Sequence, residues 1–129
     1  MNFDPKILSA LPLQTCIGND VVYMPNFEKS LTPLFINKVY TDKELEYIEK
    51  FAQPLERYAS TFCAKEAIYK ALKQWNPDIH LSWKKIEILR EKVGGKPFVN
   101  IHLEAYKVEI GLTISHDGDY VWALAWISH

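Results

Sequence analysis

Apolar residues recur along this chain with two different periods, and the period predicts which element each stretch forms. From Cys16 to Met24, the sequence CIGNDVVYM is β-branched and mostly apolar, broken only by Gly18, Asn19 and one charge, Asp20. It predicts a strand buried over much of its surface. In TDKELEYIEKFAQPL, Thr41 is followed three positions later by Glu44, a capping-box signature, and Leu45, Ile48 and Phe51/Ala52 then recur at helical spacing until Pro54 limits the helix. A second helix is predicted over roughly 59–75. At about 100° per residue, Ala64, Ala67, Ile68, Ala71, Leu72 and Trp75 share one arc, and Lys65, Glu66, Tyr69, Lys70 and Lys73 fall on the other. The first arc is core; the second is left to solvent or to function.

Downstream the period shortens. WKKIEILR (83–90) reads as a strand, EKVGGKP as a glycine-proline turn, and FVNIHL (98–103) as the hairpin partner. After an ambiguous EAYKVE, IGLTISH and YVWALAWIS flank the turn DGD as a second hairpin. The last strand is apolar on both faces, which predicts a central position or an interface over it. Strand, helices and then hairpins give an α+β fold with helices packed on one face of a mainly antiparallel sheet.

Composition narrows the class. A chain of 129 residues suits one domain with a real core and is short for two. No apolar run approaches the roughly 20 residues of a membrane span, and the start MNFDPKILSALPLQTC lacks a secretory pattern, so a cytoplasmic protein without membrane contact is expected. Lys plus Arg at 15 against Asp plus Glu at 16 leaves no basic field for nucleic acid, so any anion must be held by a local constellation. Cys16 and Cys63 lack metal-site spacing and read as buried thiols.

Four local features carry chemistry. Asp20 is either a strand-end carboxylate capping a turn or a hard oxygen ligand; Mg²⁺ takes one or two such carboxylates and completes its shell with water and phosphate oxygens. Glu66 is the candidate second carboxylate. Its i,i+4 spacing to Lys70 also fits a surface pair, but the small Ala64 and Ala67 would let this helix approach the strand bearing Asp20. VGGKP (93–97) is a turn whose glycine N–H groups and Lys96 could meet a phosphate. ISHDGDY offers Ser115 and His116, whose adjacency in sequence is not a catalytic dyad.

Taken together and in this order, GNDVV, FCAKEAIYKAL, GGKP and ISHDGDYVWALAW resemble the holo-acyl-carrier-protein synthase branch of the 4′-phosphopantetheinyl transferases. The resemblance spans roughly 16–128, and its specific part is the Lys-Glu-x-x-x-Lys helix paired with the upstream aspartate. It implies one phosphopantetheinyl transferase domain over 1–129, with 1–15 as a variable lead. It further implies transfer of the 4′-phosphopantetheine arm of coenzyme A to a serine of an apo acyl carrier protein, releasing adenosine 3′,5′-bisphosphate. Asp20 and Glu66 would hold Mg²⁺, Lys70 would stabilise the departing bisphosphate, and Glu66, directly or through a metal-bound water, would accept the serine proton. Lys65, Lys70, Lys96, Ser115 and His116 would contact coenzyme A. Small members of the family form trimers with sites between subunits, which implies a homotrimer here.

The chain also departs from the family pattern. Thr61 stands near a common arginine, Asn26 where a basic residue often follows the first motif, and Lys73 where a glycine usually follows the helix motif. The first two weaken a basic docking surface and point to a specialised carrier. Two rivals stand beside the transferase reading: a Mg²⁺-dependent nuclease or phosphatase, and a non-catalytic subunit binding coenzyme A or a carrier. Nucleases of the Asp…Glu-x-Lys kind place lysine two residues after glutamate, where this chain has Ile68.

Overall fold

In a computed structural model describing residues 15–103 and 108–128, the β-branched opening segment forms β1 (Cys16–Tyr23). Two short helices follow, α1 (Met24–Ser30) and α2 (Pro33–Val39), then α3 (Asp42–Ile48) and the long α4 (Leu55–Trp75). A 3₁₀ turn (Trp83–Lys85) leads into β2 (Ile86–Leu89), β3 (Phe98–Ile101), β4 (Glu109–Asp117) and β5 (Tyr120–Ser128). The expected lead over 1–15 falls outside the described residues except for its last position, as does most of EAYKVE.

The strands form two antiparallel sheets, one ordered β1-β5-β4 and one pairing β2 with β3. β5 is therefore central, as its two apolar faces predicted. The chain reverses between β4 and β5 at Gly118, whose φ of 55° lies where glycine is favoured. Boundaries differ from the sequence expectation where proline decides them. α3 stops at Ile48 rather than near Pro54, and α4 begins four residues earlier than expected, because Pro54 serves as its N-cap, where no N–H is needed. α1 and α2 carry Pro in their first turns and were too short for their periodicity to show.

The inner face of the larger sheet, Val22, Leu112, Val121, Ala123, Ala125 and Ile127, packs against Cys63, Ala64, Ala67, Ile68 and Ala71 of α4. Small side chains bring helix and strand into backbone contact. A Cβ on Gly18 would lie 2.0 Å from the Ala67 carbonyl oxygen and 2.7 Å from Ala71 N, so only glycine fits. The sheet's other face is not covered by the described residues. Val21 faces Trp122 and Tyr23 faces Tyr120 across the strands, and Trp122 remains 56% exposed.

The expected solvent arc of α4 needs one correction: Lys65 is fully buried. The helix is covered on two sides, by the sheet on one and by α2, α3 and the 3₁₀ turn on the other, so a one-faced reading of its periodicity misplaces this residue. Among the described residues, no helix is long and apolar enough to cross a membrane, and no disulfide joins the cysteines.

Candidate active site

Strand alternation turns Cys16, Gly18, Asp20 and Val22 toward α4, and the Gly18 contact sets how closely. Asp20 thereby reaches the polar strip of the helix. Lys70 Nζ donates to Asp20 Oδ1 at 2.9 Å and to the Asn19 carbonyl at 3.1 Å. Beneath this pair, the Cys63 thiol donates to the Asp20 carbonyl oxygen at 3.1 Å. One turn further along, the Gln74 amide clamps Ile17 from both sides: Ile17 N–H donates to Oε1 at 3.0 Å, and Nε2 donates to the Ile17 carbonyl at 2.6 Å. Cys63 and Gln74 thus hold the strand that carries Asp20. Neither has a motif signal, because their partners are backbone atoms far away in sequence.

Electrostatics mark the same place. Burial, and then the nearby Asp20 charge, raise the Glu66 carboxyl above its usual range, with Lys70 opposing. The Lys70 ammonium is held above its usual range, chiefly by its hydrogen bond to Asp20 and further by both carboxylates. Burial pushes the Cys63 thiol up to about 12, with Asp20 adding to the shift, so it stays protonated and is a donor rather than a nucleophile. Lys70 thus pairs with Asp20, and Glu66 adds a second carboxylate within electrostatic reach of both.

That donor set fits a hard divalent cation. Among the described residues no group of three or more His, Cys, Asp or Glu side chains could hold a metal alone. A Mg²⁺ ion needs only one or two protein carboxylates when a ligand's phosphate oxygens and water supply the rest. The arrangement suits phosphoryl transfer to or from a polyphosphate.

The other expected site residues lie apart from this cluster. Lys65 donates to the Val39 carbonyl at 2.6 Å and the Trp83 carbonyl at 3.0 Å, and pairs with Glu44 Oε1 at 2.7 Å. All three of its N–H bonds are used, so the phosphate role expected of Lys65 is not available in this arrangement. Burial lowers the Lys65 ammonium and raises the Glu44 carboxyl, each opposed by its partner. The hydrogen bonds require the charged forms, because Glu44 also accepts from Thr41 N–H and Ile88 N–H, both at 2.8 Å. Ser115 and His116 stand on opposite faces of the sheet, by alternation. Ser115 lies across from Trp122 on the uncovered face, and His116 Nε2 sits 3.2 Å from Glu56 Oε1 at the start of α4. Lys96 lines a groove of about 710 Å³ with Glu91, Lys92, Gly95, Pro97 and Phe98 on the β2–β3 connection. Among the described residues, no hydrogen bond or ion pair joins Lys96, Ser115 or His116 to Asp20, Glu66 or Lys70.

Comparison with known proteins narrows the class. Residues 16–125 match the model of the 4′-phosphopantetheinyl transferase superfamily. The holo-[acyl-carrier-protein] synthase of Fusobacterium nucleatum is 38% identical over 118 residues, covering 84% of this chain and 94% of that one. The structure of the Chronobacterium ammoniagenes ACPS–CoA complex superposes with a TM-score of 0.78 at 26% identity, covering 89% of this chain and 97% of the other. The holo-ACP-synthase of Plasmodium yoelii superposes at 0.71 with 31% identity, covering 87% and 92%. The chain belongs to the 4′-phosphopantetheinyl transferase superfamily, as an enzyme of the holo-[acyl-carrier-protein] synthase type.

Proposed function

We propose that this enzyme transfers the 4′-phosphopantetheine arm of coenzyme A to a serine of an apo acyl carrier protein, with Mg²⁺ held by Asp20 and Glu66. One observation supports the reading: where Gly18 lets β1 touch α4, Lys70 bonds Asp20 from a distant segment, and Glu66 feels the charge of both. A bound Mg²⁺ would neutralise pyrophosphate charge and make the phosphorus more electrophilic. The serine Oγ bonds to the β-phosphorus while the bond from that phosphorus to the bridging oxygen breaks. Adenosine 3′,5′-bisphosphate departs with the electron pair. Lys70, half exposed beside Asp20, meets the charge growing on that oxygen. Glu66, which holds a proton more readily than an ordinary glutamate, takes the serine proton.

Lys96, Ser115 and His116 contact coenzyme A in this proposal, and their separation within one chain supports a site completed by a second copy. The apolar face that the described residues leave open around Val21, Trp122 and Leu124, with Ser115 beside it, supports a homotrimer as the working form. A cytoplasmic location is part of this proposal. Asn26 is exposed on α1 without a positive charge, which favours a specialised carrier over a strongly acidic general one. Against the nuclease alternative, Ile68 at the position of the required lysine is fully buried and offers no chemistry.

The test is direct. Incubation with coenzyme A, Mg²⁺ and a panel of apo carrier proteins should add one phosphopantetheine mass to a carrier, and chelation of the metal should stop it. No adduct on any carrier, together with cleavage of a nucleic acid, would overturn the reading. Sedimentation velocity should give three times the chain mass; a monomer that transfers at full rate would remove the trimer.

A further inference from the structure

The buried lysine of the Lys-Glu pair takes no part in the chemistry above, yet it makes three strong polar contacts at a single point of the molecule. Lys65 Nζ reaches the last carbonyl of α2, the Trp83 carbonyl in the 3₁₀ turn and the Glu44 carboxylate of α3, at 2.6, 3.0 and 2.7 Å. Glu44 is tied in turn to Ile88 of β2 and to the N-cap Thr41. Four elements therefore hold α4 at one residue, directly before Glu66. On its sheet side, α4 is held by the backbone contact between Gly18 and Ala67. Asp20 and Glu66 belong to different elements, so a small rotation or slide of α4 against β1 would separate them.

We propose that Lys65 is a positioning residue for Glu66: its hydrogen bonds to Val39, Trp83 and Glu44 fix the rotation of α4 that brings the Glu66 and Asp20 carboxylates together. Apolar packing alone tolerates sliding, whereas three hydrogen bonds from one ammonium define an angle. A buried ion pair is no stability gain over apolar residues of similar volume, so a directional role accounts for what the pair does. The inference rests on Glu66 being a metal ligand.

The test uses the full chain with Mn²⁺ as the probe, its binding followed by electron paramagnetic resonance, alongside transfer kinetics. Lys65→Met should weaken Mn²⁺ binding about tenfold, the lower range for removing support behind a ligand. It should lower kcat by a similar factor, with KM for the carrier unchanged. Glu44→Gln loosens the same anchor from α3 and should shift both quantities in the same direction, which keeps the test decisive if Lys65→Met does not fold. A purely structural lysine would lower only the unfolding midpoint. Folded variants with wild-type Mn²⁺ affinity and kcat would therefore overturn the proposal. Wild-type protein that binds no Mn²⁺, together with a Glu66→Gln variant that transfers normally, would instead remove Glu66 from the metal site, and this inference with it.

Discussion

Two lysines little more than one turn apart on α4 live in opposite electrostatic conditions. Lys65 is sealed from solvent, matched by one carboxylate and two carbonyls, and every group around it is satisfied. Lys70 is half exposed and pairs with Asp20, and burial together with the Asp20 charge raises the neighbouring Glu66 carboxyl. The first cluster is closed and neutral, so it can only hold shape. The second is open and carries surplus negative charge, so it can take a cation and exchange partners. On this helix, chemistry resides where the charges are left unbalanced within reach of solvent, and the balanced cluster beside it keeps them in register.

The largest effect should come from removing the imbalance. Glu66→Gln keeps the shape of the side chain and should cut transfer by roughly 10³-fold, the equivalent of several kcal/mol of lost charge stabilisation. Time courses of carrier modification by mass spectrometry measure it, and full activity would take Glu66 out of the mechanism. Next comes the contact that makes the two clusters share one helix. Gly18→Ala places a Cβ 2.0 Å from the Ala67 carbonyl oxygen, so β1 must move off α4. It should cost about 1–3 kcal/mol in urea unfolding. Transfer should fall further than that loss of stability explains, because Asp20 moves with the strand. An unchanged urea midpoint would contradict the close approach.

A few-fold effect is expected at Lys70, which competes for Asp20. Lys70→Met should tighten Mn²⁺ binding in the absence of coenzyme A by about two- to fivefold, the scale of a solvent-exposed ion pair. The same change should slow transfer. Weaker Mn²⁺ binding in this variant would mean that Lys70 does not occupy the metal's place.

The helical period of FCAKEAIYKAL was enough to find the buried arc, since Ala64, Ala67, Ile68, Ala71 and Leu72 are all sealed in the core. It could not tell Lys65 from Lys70. Both sit off the apolar arc, and the burial of Lys65 depends on α2 and α3 folding over a second side of the helix. Nothing periodic links Glu44 to Lys65 either. Glu44 was legible as a helix cap, a role it keeps while its carboxylate also serves the lysine. The approach of Asp20 to this helix spans 50 residues of chain; the small Ala64 and Ala67 allowed it and the family resemblance pointed to it, but neither announced the Asp20–Lys70 pair itself. Ser115 and His116 are neighbours in sequence, and strand alternation sends them to opposite faces, in keeping with their adjacency not being a dyad. The central place of β5 was readable from its composition because both of its faces are apolar.

The smallest prediction separates the two clusters by the sign of their response to pH. Glu66 has its folded pKa raised, by burial and then by Asp20, so its ionised form costs stability. That cost is absent below the ordinary value of 4.5 and grows as pH rises through the folded pKa. Glu66→Gln should therefore melt slightly higher than wild type at neutral pH without metal, although its transfer is cut. Its advantage should shrink as pH falls and vanish near 4.5. Glu87, beside the buried cluster, behaves in the opposite way. Burial alone would raise it, but hydrogen bonds from Thr41 at 2.6 Å and His102 at 2.9 Å outweigh burial and lower it. Its ionised form stabilises the fold above 4.5, and that contribution is lost as pH falls through the folded pKa below this value. Glu87→Gln should then melt lower than wild type at neutral pH, with the difference closing only in stronger acid. Thermal melts of the three proteins over about pH 3 to 8 decide it. If both variants shift the midpoint in the same direction, the division into a strained open cluster and a satisfied closed one is wrong.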